Sequence, residues 1–134
     1  MSTERAPTYV DSSAIVKLVV AEPESSALRR YLSRRRALVT SALARTEVAR
    51  ALMPAGEEAV VRGRDVLRRF HVLRLNDRVL NDAGRLEPAD LRSLDAIHLA
   101  SARRLGSAVR QIVTYDERMS VAARAAGWRV ASPR

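Results

Sequence analysis

Between Arg110 and Met119 the chain reads RQIVTYDERM. The β-branched pair Ile112 and Val113 passes through Thr114 to Asp116, and a helix-like pattern starts directly afterwards. Such a junction puts one carboxylate where the carboxyl end of a strand meets the amino end of a helix, the edge at which open α/β sheets bind ligands. The stretch TYVDSS repeats the arrangement near the start, with Asp11 closing an apolar strand pattern and Ser12 and Ser13 placed to cap the next helical run. Two strand-end aspartates in a chain of 134 residues predict a shared acidic site.

The rest of the chain alternates in the same way. Strand patterns are expected at Thr8 to Val10, Ala37 to Thr40, His71 to Leu75, Gln111 to Tyr115 and Trp128 to Ala131. Helical patterns fall between them: Ala14 to Ala21, a run capped by Ser25 or Ser26, Ala42 to Met53 opened by Ser41, and the amphipathic run Glu57 to Phe70. Asp77 opens a helix that stops near Gly84, Ser93 caps Leu94 to Leu105 before Gly106, and Glu117 to Ala126 ends at Gly127. Strands separated by helices, with no hairpin signal, predict an α/β fold: one domain over residues 1–134, its core about 8–133, with a parallel sheet of about five strands covered on both faces.

Composition narrows the chemistry. With 47% apolar residues and no linker-like shift, one compact core is expected, and the absence of cysteine excludes disulfides, thiolate zinc sites and thiol catalysis. The polar start MSTERAP and the lack of an apolar run near roughly 18 residues predict a cytoplasmic protein with no membrane partner. The net charge of +9 is carried almost wholly by arginine, since Lys17 is the one lysine. That excess favours a polyanionic partner, and charge alone does not choose between RNA, DNA and an acidic peptide.

Several chemistries drop out. No GxxxxGK[ST] or GxGxxG is present, which removes phosphate-cradling loops. Asp11 is followed by Ser12 and Ser13 and not by a second acid two residues on, against an aspartyl-phosphate phosphatase. A phosphoacceptor receiver would carry a lysine after its last strand, whereas Lys17 is near the start. His71 and His98 are too few for a histidine-rich metal site, and His98 is read as a core or surface residue.

Carboxylates are what is left. Asp11 and Asp116 end strands, Asp95 falls in the first turn of the helix after Ser93, and Glu47 lies mid-helix between apolar neighbours. Singly, each has an ordinary reading: turn residues for Asp11 and Asp116, a helix-dipole residue for Asp95, a partner of Arg45 or Arg50 for Glu47. Together they form an oxygen-only donor set suited to Mg²⁺ or Mn²⁺, whose charge would relieve their repulsion. One such cation, or a pair about 3.5 to 4 Å apart, activates water for in-line attack on a phosphodiester.

The segments YVDSSAIVKL, TEVARAL, LRSLDAIHLASA and VTYDERMSVAARAAGWRV, in that order, resemble the PIN-domain ribonucleases and specifically the VapC-type toxins of bacterial toxin–antitoxin pairs. The resemblance runs from Thr8 to Pro133, and no acidic position departs from it. It implies that Asp11 and Asp95 are the firmest Mg²⁺ ligands, with Glu47 and Asp116 completing the shell directly or through water. Ser12 and Thr114 match positions where a hydroxyl orients a carboxylate or substrate. It further implies a homodimer and a small antitoxin that blocks the site, often with a basic side chain. The run Glu57 to Phe70 offers apolar surface for the dimer.

The expectation is therefore a Mg²⁺-dependent endoribonuclease that cleaves RNA and inhibits translation until its antitoxin restrains it. A non-catalytic nucleic-acid- or antitoxin-binding module is the alternative from another class, and a metal-dependent phosphatase of small esters is a third.

Overall fold

Three-residue strands of β-branched and aromatic residues cannot stand alone and persist here because they pair along their whole length. In the computed structural model, which describes residues 6–134, these are β1 (Thr8–Val10), β3 (His71–Leu73), β4 (Gln111–Val113) and β5 (Arg129–Ala131), with β2 (Leu38–Ser41) one residue longer. All pairings are parallel, in the order β3-β2-β1-β4-β5. The chain works outward from β1 to β3, then crosses back to β4 and β5. The order therefore reverses at the β1–β4 junction, and the crevice beyond the carboxyl ends of those two strands is where such sheets bind ligands.

The helices are α1 (Ser12–Lys17), α2 (Ser25–Ser33), α3 (Leu43–Leu52), α4 (Glu57–Leu67), α5 (Asp77–Ala83), α6 (Ser93–Arg103) and α7 (Glu117–Ala125). Neighbouring strand residues face opposite ways and so feed two cores. Val10 and Val113 pack with Ile15, Leu28, Val48, Leu52 and Phe70 from the side of α1 to α4. Tyr9, Val39 and Ile112 pack with Leu99, Met119 and Ala122 from α6 and α7. Val79 and Ala83 of α5 close against Ala96 and Ala100 of α6.

The order and type of the elements agree with the sequence expectations, while several ends differ. Helix α1 stops at Lys17 because Leu18 and Val19 already bond three residues back, to Ile15 and Val16. Asn76, not Asp77, caps α5 by accepting the Val79 N–H at 2.9 Å, because its extended backbone is the one a cap needs. Ser93 is the first residue of α6 and Arg92 precedes it without a side-chain cap. Neither Ser25 nor Ser26 caps α2: both lie inside it, and the Ser25 hydroxyl accepts from the Glu22 N–H. Ser41 ends β2 yet still accepts the Leu43 N–H at 3.1 Å. Strand β3 ends at Leu73, where its pairing with Ser41 ends. Helix α4 ends at Leu67; Ala59, Val66, Leu67 and Phe70 are largely buried within the chain, while Val61 of the same run is exposed. The polar start MSTERAP lies mostly outside the described residues.

Helix α4 approaches α3 closely because residue 63 is glycine. A Cβ there would stand 2.5 Å from Leu52 Cδ1 and 3.2 Å from Val48 Cγ1, both fully buried. Overpacking of this kind costs about 1–3 kcal/mol, against about 1 kcal/mol gained from replacing glycine in a helix. Gly63→Ala is expected to destabilise the protein by about 1 kcal/mol net; a denaturation midpoint that rises would show that α3, the carrier of Glu47, has room to spare.

Candidate active site

Asp11 directly follows β1 and is the N-cap of α1. Its Oδ1 accepts the Ala14 N–H (3.1 Å) and the Ser13 hydroxyl (2.7 Å), and its Oδ2 accepts the Thr114 hydroxyl at 2.5 Å. Asp116 follows β4 and caps α7, accepting the Met119 N–H at 2.9 Å. Thr114 joins the two, because the oxygen that donates to Asp11 also accepts the Asp116 N–H at 3.0 Å. Ser13 makes a second stitch by accepting the Tyr115 N–H at 3.1 Å. The two strand-end aspartates are thus held by hydroxyls across the junction where the strand order reverses.

Glu47 reaches the same crevice from α3. It pairs with neither Arg45 nor Arg50; its Oε1 accepts the Ser12 hydroxyl at 2.7 Å and lies 2.6 Å from Nε2 of His98. His98 is 2% exposed, and its Nδ1 meets the Tyr9 hydroxyl at 2.7 Å. A carboxylate only accepts, so Nε2 carries the proton toward Glu47, and in the neutral ring Nδ1 accepts from Tyr9. Burial, with the charges of Asp11 and Glu47, pushes the Tyr9 pKa far up, which keeps its hydroxyl a donor. Tyr9, His98, Glu47 and Ser12 form one chain of hydrogen bonds ending at the crevice.

Asp95 enters from the first turn of α6, and the Arg92 guanidinium lies between it and Asp116, 3.1 Å from Asp95 Oδ2 and in close contact with Asp116 Oδ2. All four predicted acids, with Ser12, Ser13, Arg92 and His98, line a single cavity of about 280 Å³. Among the described residues, however, no three acidic or imidazole groups converge as a metal would require. Each carboxylate is turned to a donor of the protein itself, and the one cationic side chain lining the cavity, Arg92, occupies the gap between Asp95 and Asp116.

Two residues of this site were not singled out by sequence reasoning. His98 had a signal, lying three residues after Asp95 and therefore on the same face of α6. Arg92 had a similar one, lying three residues before Asp95, but nothing marked its second partner Asp116, 24 residues away.

Residues 8–125 match the family model described as the PIN domain, so the chain belongs to the PIN-domain family. Among its relatives it falls with the VapC ribonucleases. It is 56% identical over 128 residues to Ribonuclease VapC46 of Mycobacterium tuberculosis strain H37Rv, covering 96% of this chain and 98% of the relative. To Ribonuclease VapC47 of the same species, strain CDC 1551, it is 38% identical over 130 residues, covering 93% and 96%. Solved structures agree on the fold. M. tuberculosis VapC20, described as a sarcin-ricin loop cleaving toxin, superimposes with a TM-score of 0.76 at 20% identity, over 94% of this chain and 99% of that one. A toxin–antitoxin complex from Klebsiella pneumoniae gives 0.73 at 19% identity, over 95% and 98%. VapC ribonucleases depend in general on a divalent metal and pair with antitoxins. No helix among the described residues is long and apolar enough to cross a membrane.

The acids are not equivalent. Burial raises the Asp11 pKa despite the nearby His98 and its three hydrogen bonds. Burial and then the charge of Asp116 raise that of Asp95, against the pull of Arg92. Burial also pushes Glu47 up, but the hydrogen bond and charge of His98, with Ser12, outweigh it and leave its pKa lowered. Asp11 and Asp95 thus bind protons more tightly folded than unfolded. Their contribution to stability is complete below the ordinary carboxylate pKa of about 4 and is lost as pH rises through their raised folded values. Asn can still cap α1, so Asp11→Asn removes the Asp11 share of this loss. With chelator present, the Tm of the variant relative to the parent is expected to rise as pH increases above about 4; thermal unfolding over a pH series would refute this if the difference stayed flat.

Proposed function

We propose that the acid-lined cavity is the catalytic centre of this ribonuclease and that it cleaves RNA endonucleolytically with Mg²⁺, Mn²⁺ serving in its place. The observation that carries this reading is the meeting of Asp11, Glu47, Asp95 and Asp116, from four separate segments, around one cavity at the switch point of the sheet. The chemistry of the donor set suits a hard divalent cation, since it consists of carboxylate oxygens and two of the acids carry raised pKa values that a cation would relieve, although the four do not converge as they stand. Asp11 and Asp95 would hold the metal, with Glu47 and Asp116 completing the set directly or through water. When bound, such an ion lowers the pKa of water for in-line attack and stabilises the leaving oxygen.

The chain's own residues do the rest. Ser13, Thr114 and the Ala14 N–H fix Asp11 so that neither oxygen swings freely. Ser12 and His98 keep Glu47 ionised and aimed at the crevice. Arg92 supplies the counter-charge that makes Asp95 and Asp116 tolerable side by side; it would compete with a divalent cation for that place, and its fork suits a phosphate oxygen of the substrate. The family relationship supports translation as the process inhibited, a small antitoxin as the restraint, a homodimer as the assembly and the cytoplasm as the place of action.

Asp11→Asn and Asp95→Asn are each expected to lower RNA cleavage by about 100-fold or more, and chelation to abolish it in the parent protein. Undiminished turnover in both variants, measured on a labelled RNA with Mg²⁺ present, would defeat the assignment.

Arg92→Ala removes a positive charge from the cavity and is expected to bind Mn²⁺ several-fold more tightly by calorimetry. An unchanged or weaker affinity would show that Arg92 does not compete with the cation.

A further inference from the structure

The opposite edge of the sheet carries a second concavity with the reverse character. Arg110 immediately precedes β4 and Arg129 opens β5, and the Arg129 N–H donates to the Arg110 carbonyl at 3.1 Å. Arg35 lies just past α2 and Arg103 ends α6. These four arginines, with Tyr31 and Trp128, line a cavity of about 740 Å³ in which no carboxylate takes part among the described residues. None of the four makes an ion pair among the described residues. Four like charges gathered with no counter-charge among the described residues create a positive field that a polyanion would discharge.

The wall of this cavity is built rather than loose. The Tyr31 hydroxyl donates to the side-chain oxygen of Gln111, and the Gln111 amide donates to Thr8 Oγ1 at 3.2 Å, so the ring is tied to the first residues of β4 and β1. The Arg35 guanidinium lies 3.6 Å over the Tyr31 ring and donates to the Tyr31 carbonyl at 2.9 Å. Its Nε is buried with no acceptor among the described residues. Trp128 is half-buried, one side packed on the core shared by Ile112 and Met119.

Charge alone would suit any anion, but rings set among guanidinium groups suit one class better. Unpaired RNA offers bases to stack on aromatic faces and phosphates to the arginine fork, whereas an acidic peptide gains nothing from the rings. We propose that this cavity is a second RNA-binding site, which grips an unpaired stretch of the substrate away from the bond that is cut. The proposal rests on the ribonuclease reading and extends it to how substrate is held. Arg110 and Asp116, which bracket β4 at its two ends, are six residues apart, at most about 20 Å of extended chain, within the reach of one folded RNA.

Trp128 is the one tryptophan of the chain, so the cavity carries its own probe. With chelator present to prevent cleavage, titration of the full chain with a single-stranded RNA of mixed sequence should change Trp128 emission saturably. Arg110 and Arg129 are exposed, so the double variant Arg110→Gln, Arg129→Gln should fold. It is expected to bind about tenfold more weakly, with the slope of log affinity against log salt reduced by about 1.4, two single-strand phosphate contacts. Arg103→Gln, at the end of α6, should act in the same direction. Cleavage of a short RNA that fills only the acidic cavity should be unchanged in the double variant, and cleavage of a long structured RNA should fall. An emission that does not respond to RNA, or an affinity and slope unaltered in the variants, would overturn the proposal. So would polyglutamate producing the same change in place of RNA, since the site would then be for an acidic protein. Binding is read without turnover, so failure here is distinct from failure of the catalytic assignment, which the Asp11→Asn assay reads.

Discussion

Carboxylates facing one another across a crevice repel, and the structure is arranged around holding four of them there. Asp11 and Asp116 are held by backbone N–H groups at the starts of α1 and α7 and by the shared hydroxyl of Thr114. Glu47 is held by Ser12 and His98, and Asp95 by Arg92. Hydrogen bonds to the charged form favour ionisation while burial opposes it. At Glu47 the donors win; at Asp11 and Asp95 burial does. Ionising Asp11 and Asp95 in the cavity therefore costs stability, the condition under which a divalent cation has most to offer.

The same demand explains why the acids come from separate elements. A parallel sheet whose strand order reverses at β1 and β4 leaves a gap that no connecting helix fills. Asp11 and Asp116 lie just beyond those strands, and α3 and α6, packed on opposite faces, each turn one acid over the gap. The close fit of α3 on α4 at Gly63 and the buried His98–Tyr9 contact then set where Glu47 stands. Packing on both faces thus serves the site more than the crevice itself does.

The basic excess has a direction. One arginine lines the acidic cavity and four line the cavity at the amino edge, so the molecule presents opposite charge at the two ends of its strands. The acidic edge opposes a polyanion and the basic edge favours one. Under the proposed roles, attraction and chemistry fall to different surfaces.

The alternation of strand and helix was legible because apolar period and breakers are local: Ile112 and Val113 before Asp116, Pro54 and Gly56 between α3 and α4. So were the candidate acids, whose positions after strands and in a first helical turn are matters of spacing. Element ends were less so, as at α5, where Asn76 and Asp77 are both able to cap and only the backbone chose Asn76. The sequence by itself determined which residues carry charge and hydroxyls and on which elements they ride, since backbone propensity and side-chain chemistry are properties of short stretches. Only the tertiary structure decided that Arg92 bridges Asp95 to Asp116, that His98 joins Tyr9 to Glu47, and that four distant arginines share one cavity. The Arg92–Asp116, His98–Glu47 and Tyr9–His98 contacts join residues 24, 51 and 89 apart, and their energy depends on distances that no local pattern encodes.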